Sequence, residues 1–242
     1  MKSFTIEVVA SSVQSCINAQ AGGARRIELC SALATAGVTP SSGLIQIVKN
    51  YVTIPVYVMI RPREGDFCYS RNEIEVMKQD IENCKVMGAD GIVFGILHED
   101  GTVNETATRK LVELCNPLPV TFHRAIDITP NIIDALEAII DSGCERILTS
   151  GGKATGPEGI TNIIALNEKA AGRISIMPGG GIRPDTFEVM LHEGMTDYHL
   201  SGRIPKKGSL PTTLFDMDWA ETDEESIRSV VKMAKEFFKV TI

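Results

Sequence analysis

A chain of 242 residues with 24 basic and 31 acidic side chains, a formal net charge of −7, is too acidic for broad sequence-independent nucleic-acid binding, which neutralises many phosphates at once. Apolar residues make up 43% and charged residues 23%, enough for a sizeable core under an ordinary solvated surface; no uninterrupted apolar run approaches the length that spans a bilayer. Lys2 followed by a strand-like run broken at Glu7 lacks the pattern of a signal peptide, which points to the cytoplasm.

Eight short apolar runs, each ending in polar or charged residues, recur at roughly 22 to 35 residues, the spacing of βαβ units. They are Phe4 to Val9, Arg26 to Cys30, Val56 to Arg61, Gly91 to Ile96, Val120 to Arg124, Arg146 to Ser150, Ile174 to Pro178 and Tyr198 to Ser201. Helix-like stretches alternate with them. Ser12 to Ala21 starts at a serine and stops at Gly22-Gly23; Ser70 to Met87 opens with Ser70 and Glu73 in capping-box spacing and ends at Gly88. Thr106 to Cys115 follows, then Pro130 to Ser142 with Thr129 as its cap, then Gly159 to Ala171 and Pro184 to His192. The last is Glu224 to Phe238, whose Ile227, Val230, Val231, Ala234, Phe237 and Phe238 form one apolar face that either closes the barrel or meets a second copy. Ser31 to Ser42 and Gly202 to Ala220 hold too many breakers for single helices and are expected to be loops. The pattern predicts one α/β domain over residues 1–242, a (β/α)8 TIM barrel with its core at about 4–201 and a loop and C-terminal helix at 202–242.

In such a barrel the chemistry sits where the strands end. The first strand brings Glu7 there; the second brings Glu28 and Cys30, on one side of the ribbon by the two-residue repeat. The third brings Arg61, with Arg63 after it, and the fifth brings His123 and Arg124, with Asp127 just beyond. Ser150 precedes Gly151-Gly152, the seventh strand runs into Gly179-Gly180-Gly181, and the eighth carries His199, Ser201 and Gly202. Ions are seldom buried unpaired. One account is therefore an internal salt-bridge network closing the barrel top. Another is a site for a small phosphorylated or carboxylated molecule. In it Glu28 or Asp127 is a general base, His123 or His199 a general acid or hydrogen-bond donor, and Arg61 a clamp for the anion. Arg63, Arg124, Ser150, Ser201 and the glycine turns would support the ligand, since glycines let backbone amides approach an anion closely. A metal is the third account, with Cys30, Glu28, His123, His199 and Cys68 as possible donors, although they are scattered in the chain. The six cysteines show no CxxC pair, and Cys16, Cys84, Cys115 and Cys144 read as small buried hydrophobes. His98 and His192 read as surface residues, and Met59, Met87, Met177 and Met190 as packing. No organic-cofactor motif is evident.

The same residues carry a resemblance. Arg26-Ile27-Glu28-Leu29-Cys30-Ser31-Ala32-Leu33, Met59-Ile60-Arg61-Pro62-Arg63, Gly65-Asp66-Phe67-Cys68-Tyr69-Ser70, Pro119-Val120-Thr121-Phe122-His123-Arg124-Ala125 and the Met177 to Gly181 turn resemble the CutC family, named for copper homeostasis. Thr35-Ala36 and Glu64 depart from the usual family pattern. The resemblance implies a cytoplasmic, dimeric (β/α)8 barrel that binds copper, with Cys30 and Cys68 as the candidates for Cu(I).

Overall fold

The computed structural model describes residues 4–192, 194–208 and 219–239. The barrel strands and helices run β1 (Thr5–Ala10), α1 (Val13–Ala21), β2 (Arg26–Leu29), α2 (Ser42–Tyr51), β3 (Val56–Met59), α3 (Arg71–Val86), β4 (Gly91–Phe94), α4 (Glu105–Cys115), β5 (Val120–Phe122), α5 (Ile132–Asp141), β6 (Arg146–Thr149), α6 (Gly156–Ala170), β7 (Ser175–Pro178) and β8 (Asp197–Leu200). A ribbon β9 (Arg203–Lys206) and β10 (Trp219–Thr222) precedes α7 (Glu224–Phe238). The eight long-sheet strands are parallel, in the order β7-β6-β5-β4-β3-β2-β1-β8, and β7 and β8 come side by side to close the ring. This is a single (β/α)8 barrel.

The period of two decides what each strand buries and where. Ile6, Val8, Ile27, Leu29, Val58, Ile92, Phe122, Ile147 and Leu200 belong to the main core shared with the helices. The alternate positions carry charge: Glu7, Arg26, Glu28 and His199 are all buried in the strands. α3 begins on the capping box of Ser70 and Glu73, as the spacing predicts. In α5 the cap is Asn131, whose side chain accepts from the Ile133 and Asp134 amides, so the helix starts two residues later than Thr129 and Pro130 suggest. α6 starts earlier than Gly159, at Gly156 behind the Thr155 cap.

Two stretches differ more. Pro184 to His192 forms turns with one short 3-10 segment, Glu188–Met190, in place of a helix. Phe187 and Met190 within it are both buried, with the Phe187 ring edge-on to Tyr198 at 5.2 Å. Within the 202–220 stretch, β9 pairs antiparallel with β10; residues 209–218 of the expected loop lie outside the described residues. The terminal helix buries Ile227, Val230, Val231 and Ala234, and Phe238 stacks on Phe4 at 5.6 Å, so it closes the barrel.

Candidate active site at the barrel mouth

The floor of the barrel is an ion network. Arg26 pairs with Glu7 through its Nε and with Asp197 through Nη2 at 2.8 Å, while Arg146 Nε lies 3.3 Å from the same Asp197 oxygen. The Tyr57 ring sits against both guanidinium groups, 5.1 Å from Arg26 and 5.5 Å from Arg146. Gly91 makes room for that ring, since a Cβ there would lie 2.6 Å from it. Two acids thus answer two arginines. Above them His199 Nδ1 lies 2.7 Å from Glu7 Oε1.

Glu28 stands outside this balance. Its Oε2 is buried without a hydrogen-bond partner among the described residues. Burial, reinforced by the Glu7 charge and opposed by His199 and Arg26, pushes its carboxyl up to about 7. Burial also disfavours the charge of His199, yet Glu28 and Glu7 outweigh it and hold the imidazole above its ordinary value. For Glu7 the guanidinium of Arg26 and the imidazole of His199 overcome burial and hold the carboxyl well below the carboxylate range.

His123 directly follows β5 and is buried too. Burial, then the Arg61 charge, lowers its imidazole to about 3, so the ring is neutral at physiological pH. Its Nδ1 accepts the Ala125 amide at 3.2 Å, which places the proton on Nε2. Nε2 has no partner among the described residues. Gly95 is what seats this ring: a Cβ there would fall 2.5 Å from Nδ1.

Glu28, His123 and His199 line one cavity of about 560 Å³, walled by Val9, Leu33, Met59, Phe67 and Leu148 and rimmed by Arg124, Asp127 and Lys153. An apolar concavity with a few convergent polar groups is the usual form of a small-molecule site. A groove of about 640 Å³ beside α4 and α5, near Glu105, Asn131 and Asp134, contains none of the unpartnered buried atoms.

The remaining expected residues fall around this cavity in different roles. Arg61 is drawn into the wall: Nη1 donates to the carbonyls of Thr35 and Gly37 and Nη2 to that of Gly65, each at 2.7 Å, and its guanidinium lies 5.0 Å from the Phe67 ring. It ties two mouth loops together, and its terminal nitrogens are committed to carbonyls. Arg63 pairs with Asp66 and Glu73 outside the cavity. Asp127 accepts from Arg124, Thr149, Ser150 and the Gly152 amide, which saturates it and leaves Glu28 as the available carboxylate. Ser150 is held between Asp127 and Arg124.

The glycines mostly serve close packing. A Cβ on Gly151 would lie 2.5 Å from the Gly159 carbonyl, one on Gly180 2.9 Å from Arg124, one on Gly181 2.8 Å from Thr155 and one on Gly202 2.4 Å from Ile227; Gly179 abuts Leu148. The turn after β7 therefore stands beside the cavity, and the carbonyls of Ser201 and Gly202 receive Thr222 and Asp223 of the C-terminal segment.

The thiols occupy separate settings. Cys30 is fully buried with Val9, Tyr57, Met59 and Val93, and burial followed by the Glu28 charge drives its thiol far up. Cys68 packs on the outer core, and its Sγ donates to the His98 carbonyl. Among the described residues the one trio of His, Cys, Asp or Glu donor atoms within 4.8 Å of one another is Glu7, Glu28 and His199. Glu7 is already engaged by Arg26 and His199, and two carboxylates with one imidazole do not suit Cu(I), which prefers thiolate and thioether. This donor set does not fit a cuprous ion.

Arg26, Tyr57, Phe67, Arg146, Lys153 and Asp197 were not singled out from the sequence. For Arg26 and Asp197 a signal existed: each shares strand parity with a residue that was, Glu28 and His199.

A (β/α)8 barrel with unpaired buried polar atoms on side chains that line a cavity at the strand C-terminal ends has the build of a small-molecule site. A profile of the CutC family matches residues 4–204. The chain belongs to the CutC family. It is 52% identical over 208 residues to the human "copper homeostasis protein cutC homolog", covering 86% of this chain and 76% of that one. A CutC family protein from Xanthomonas campestris pv. campestris is 42% identical over 234 residues, 94% of this chain and 98% of the relative. A crystal structure of a CutC protein from Streptococcus agalactiae superposes with a TM-score of 0.77 at 32% identity, covering 81% of this chain and 97% of that one.

Proposed function

We propose that the barrel mouth binds a small anionic molecule, phosphorylated or carboxylated, and moves a proton on it. Glu28 is the proton-transfer group and His123 a hydrogen-bond donor to the substrate. One observation carries this: the unpartnered Glu28 Oε2 and His123 Nε2 belong to side chains lining the same cavity. A buried polar atom without a partner costs about 1–3 kcal/mol, a cost that a ligand filling both positions removes. Lys153 at the rim, without an ion pair among the described residues, supplies the positive charge for the anion, and Arg124, already paired with Asp127, stands beside it. His199, held by Glu7, supplies a second acid beside Glu28. Calorimetry with a panel of small phosphates and carboxylates tests the reading. Binding by at least one member, weakened tenfold or more by His123→Gln and by Lys153→Ala, is the expected result; no binding by any member would sink it.

The human relative's name supports a second reading, copper handling, in which the family resemblance assigns Cu(I) to Cys30 and Cys68. Cu(I) uptake measured in competition with a chelator decides this: uptake lost in both Cys30→Ala and Cys68→Ala favours it, and unchanged uptake removes it. Under either reading we place the protein in the cytoplasm as a homodimer. No helix among the described residues is long and apolar enough to cross a membrane, and sedimentation velocity measures the dimer.

A further inference from the structure

The cavity offers a base, a neutral donor and a fixed positive charge, and their arrangement narrows the chemistry beyond proton transfer in general. His123 is a donor because its Nδ1 lone pair is used by the Ala125 amide, leaving Nε2–H unpartnered and buried in a residue that lines the cavity. Behind it stands Arg61. That guanidinium is buried and has no carboxylate partner among the described residues; it is held by three carbonyls and the Phe67 ring. The same Phe67 ring lies 4.7 Å from the His123 imidazole. Burial first, and the Arg61 charge second, keep His123 neutral, and Arg61 adds positive potential where a negative oxygen would form, without touching the ligand. Opposite charges fixed before reaction are the most effective stabilisers of a developing oxyanion.

Resting on the reading proposed above, we infer that the substrate is a carbonyl compound bearing a carboxylate or phosphate, and that the reaction runs through its enolate. The carbonyl oxygen accepts the hydrogen bond of His123 Nε2, the anionic end meets Arg124 and Lys153, and the acidic carbon faces Glu28. The Glu28 carboxylate takes a proton from the carbon next to the carbonyl. The C–H electron pair becomes the C=C bond, and the carbonyl π pair moves to the oxygen held by His123. Return of a proton from Glu28 to the same carbon, after the Glu28 carboxyl has exchanged its proton with water, restores the carbonyl compound and gives hydrogen exchange at that carbon, so no oxidant, reductant or co-reactant is needed. A carboxylate base paired with a neutral imidazole donor is a known solution for proton abstraction beside a carbonyl. Arg61 is a positioning residue in this scheme.

The test is hydrogen–deuterium exchange in D₂O. Small carbonyl compounds carrying a carboxylate or phosphate, including pyruvate, acetoacetate and dihydroxyacetone phosphate, are incubated with the protein and followed by proton NMR. The expected result is catalysed loss of a carbon-bound proton from at least one compound, reduced about 100-fold or more by Glu28→Gln and by His123→Gln. Long-range ¹⁵N NMR of the wild-type protein supplies a readout independent of substrate and of variant folding. His123 should carry its proton on Nε2 alone down to about pH 4 and should protonate at higher pH in Arg61→Gln. Anion binding without exchange from any compound overturns the enolate inference and leaves the binding reading standing. A proton on His123 Nδ1 overturns it as well. No anion binding overturns both.

Discussion

Replacing Glu28 by glutamine should make the protein more stable at alkaline pH and leave it nearly unchanged at acid pH. The carboxyl is fully enclosed, and burial moves it from 4.5 to about 7. Because the native state holds this proton more tightly than the unfolded chain, ionisation opposes folding. The resulting loss of stability is absent below about pH 4.5, grows as pH rises and is complete above about pH 7. At about 1.4 kcal/mol for each tenfold change in proton affinity, the ionised carboxylate costs on the order of 3 kcal/mol. His199 adds in the same direction, since its raised pKa gives stability at low pH that is lost as the imidazole deprotonates. Glutamine is isosteric with the protonated acid and never ionises. Urea denaturation at about pH 8.5 should therefore place the Glu28→Gln midpoint about 1 M above wild type, for a slope of about 3 kcal/mol per molar urea. At about pH 4 the two curves should coincide. Parallel pH profiles, or a variant weaker than wild type at about pH 8.5, would refute the reasoning, because the ionised Glu28 would then have partners that balance its burial. The same cost is functionally useful: an ionised carboxylate destabilised by burial is a stronger base than one in water.

Asp197→Asn leaves Arg26 and Arg146 short of one counter-charge at the barrel floor, and chemical denaturation should show a loss of about 3–5 kcal/mol; a loss under about 1 kcal/mol would mean that the network relaxes freely. Glu7→Gln removes the carboxylate beside His199, so the His199 pKa followed by NMR should fall, and an unchanged value would show that Glu28 alone sets it. Gly159→Ala forces a Cβ to within 1.8 Å of the Ser150 carbonyl, so α6 must move from β6; a loss of about 3 kcal/mol or more in the urea midpoint is expected, and near-neutrality would contradict the close approach. Ser70→Ala removes one half of the α3 capping box and should cost about 1 kcal/mol by the same assay.

Most of the fold was legible because it rests on local patterns. Apolar runs at βαβ spacing located all eight barrel strands, and the Ser70 and Glu73 pair located the start of α3. The pattern misled over Pro184 to His192, which folds as turns with one short 3-10 segment, and where a hairpin was hidden in breaker-rich sequence around β9 and β10. At the mouth, strand parity put Glu28 and Cys30 on one side of β2, and the strand ends delivered His123 and His199 to the same end of the barrel. Their roles could not be assigned that way, because those depend on which partner each atom finds.

The sequence by itself determined a (β/α)8 barrel, its family and the set of charged residues delivered to the strand ends, because strand period and motif are properties of contiguous residues. Only the tertiary structure decided how those charges are shared. It gave Asp127 five donors, Arg61 three carbonyls, Cys30 an apolar nest and Cys68 the His98 carbonyl, and it left an unpaired atom on each of Glu28 and His123, two side chains that line a common cavity. Proton affinity and hydrogen-bond capacity follow from burial and from neighbours distant in the chain, and those exist only once the barrel has closed.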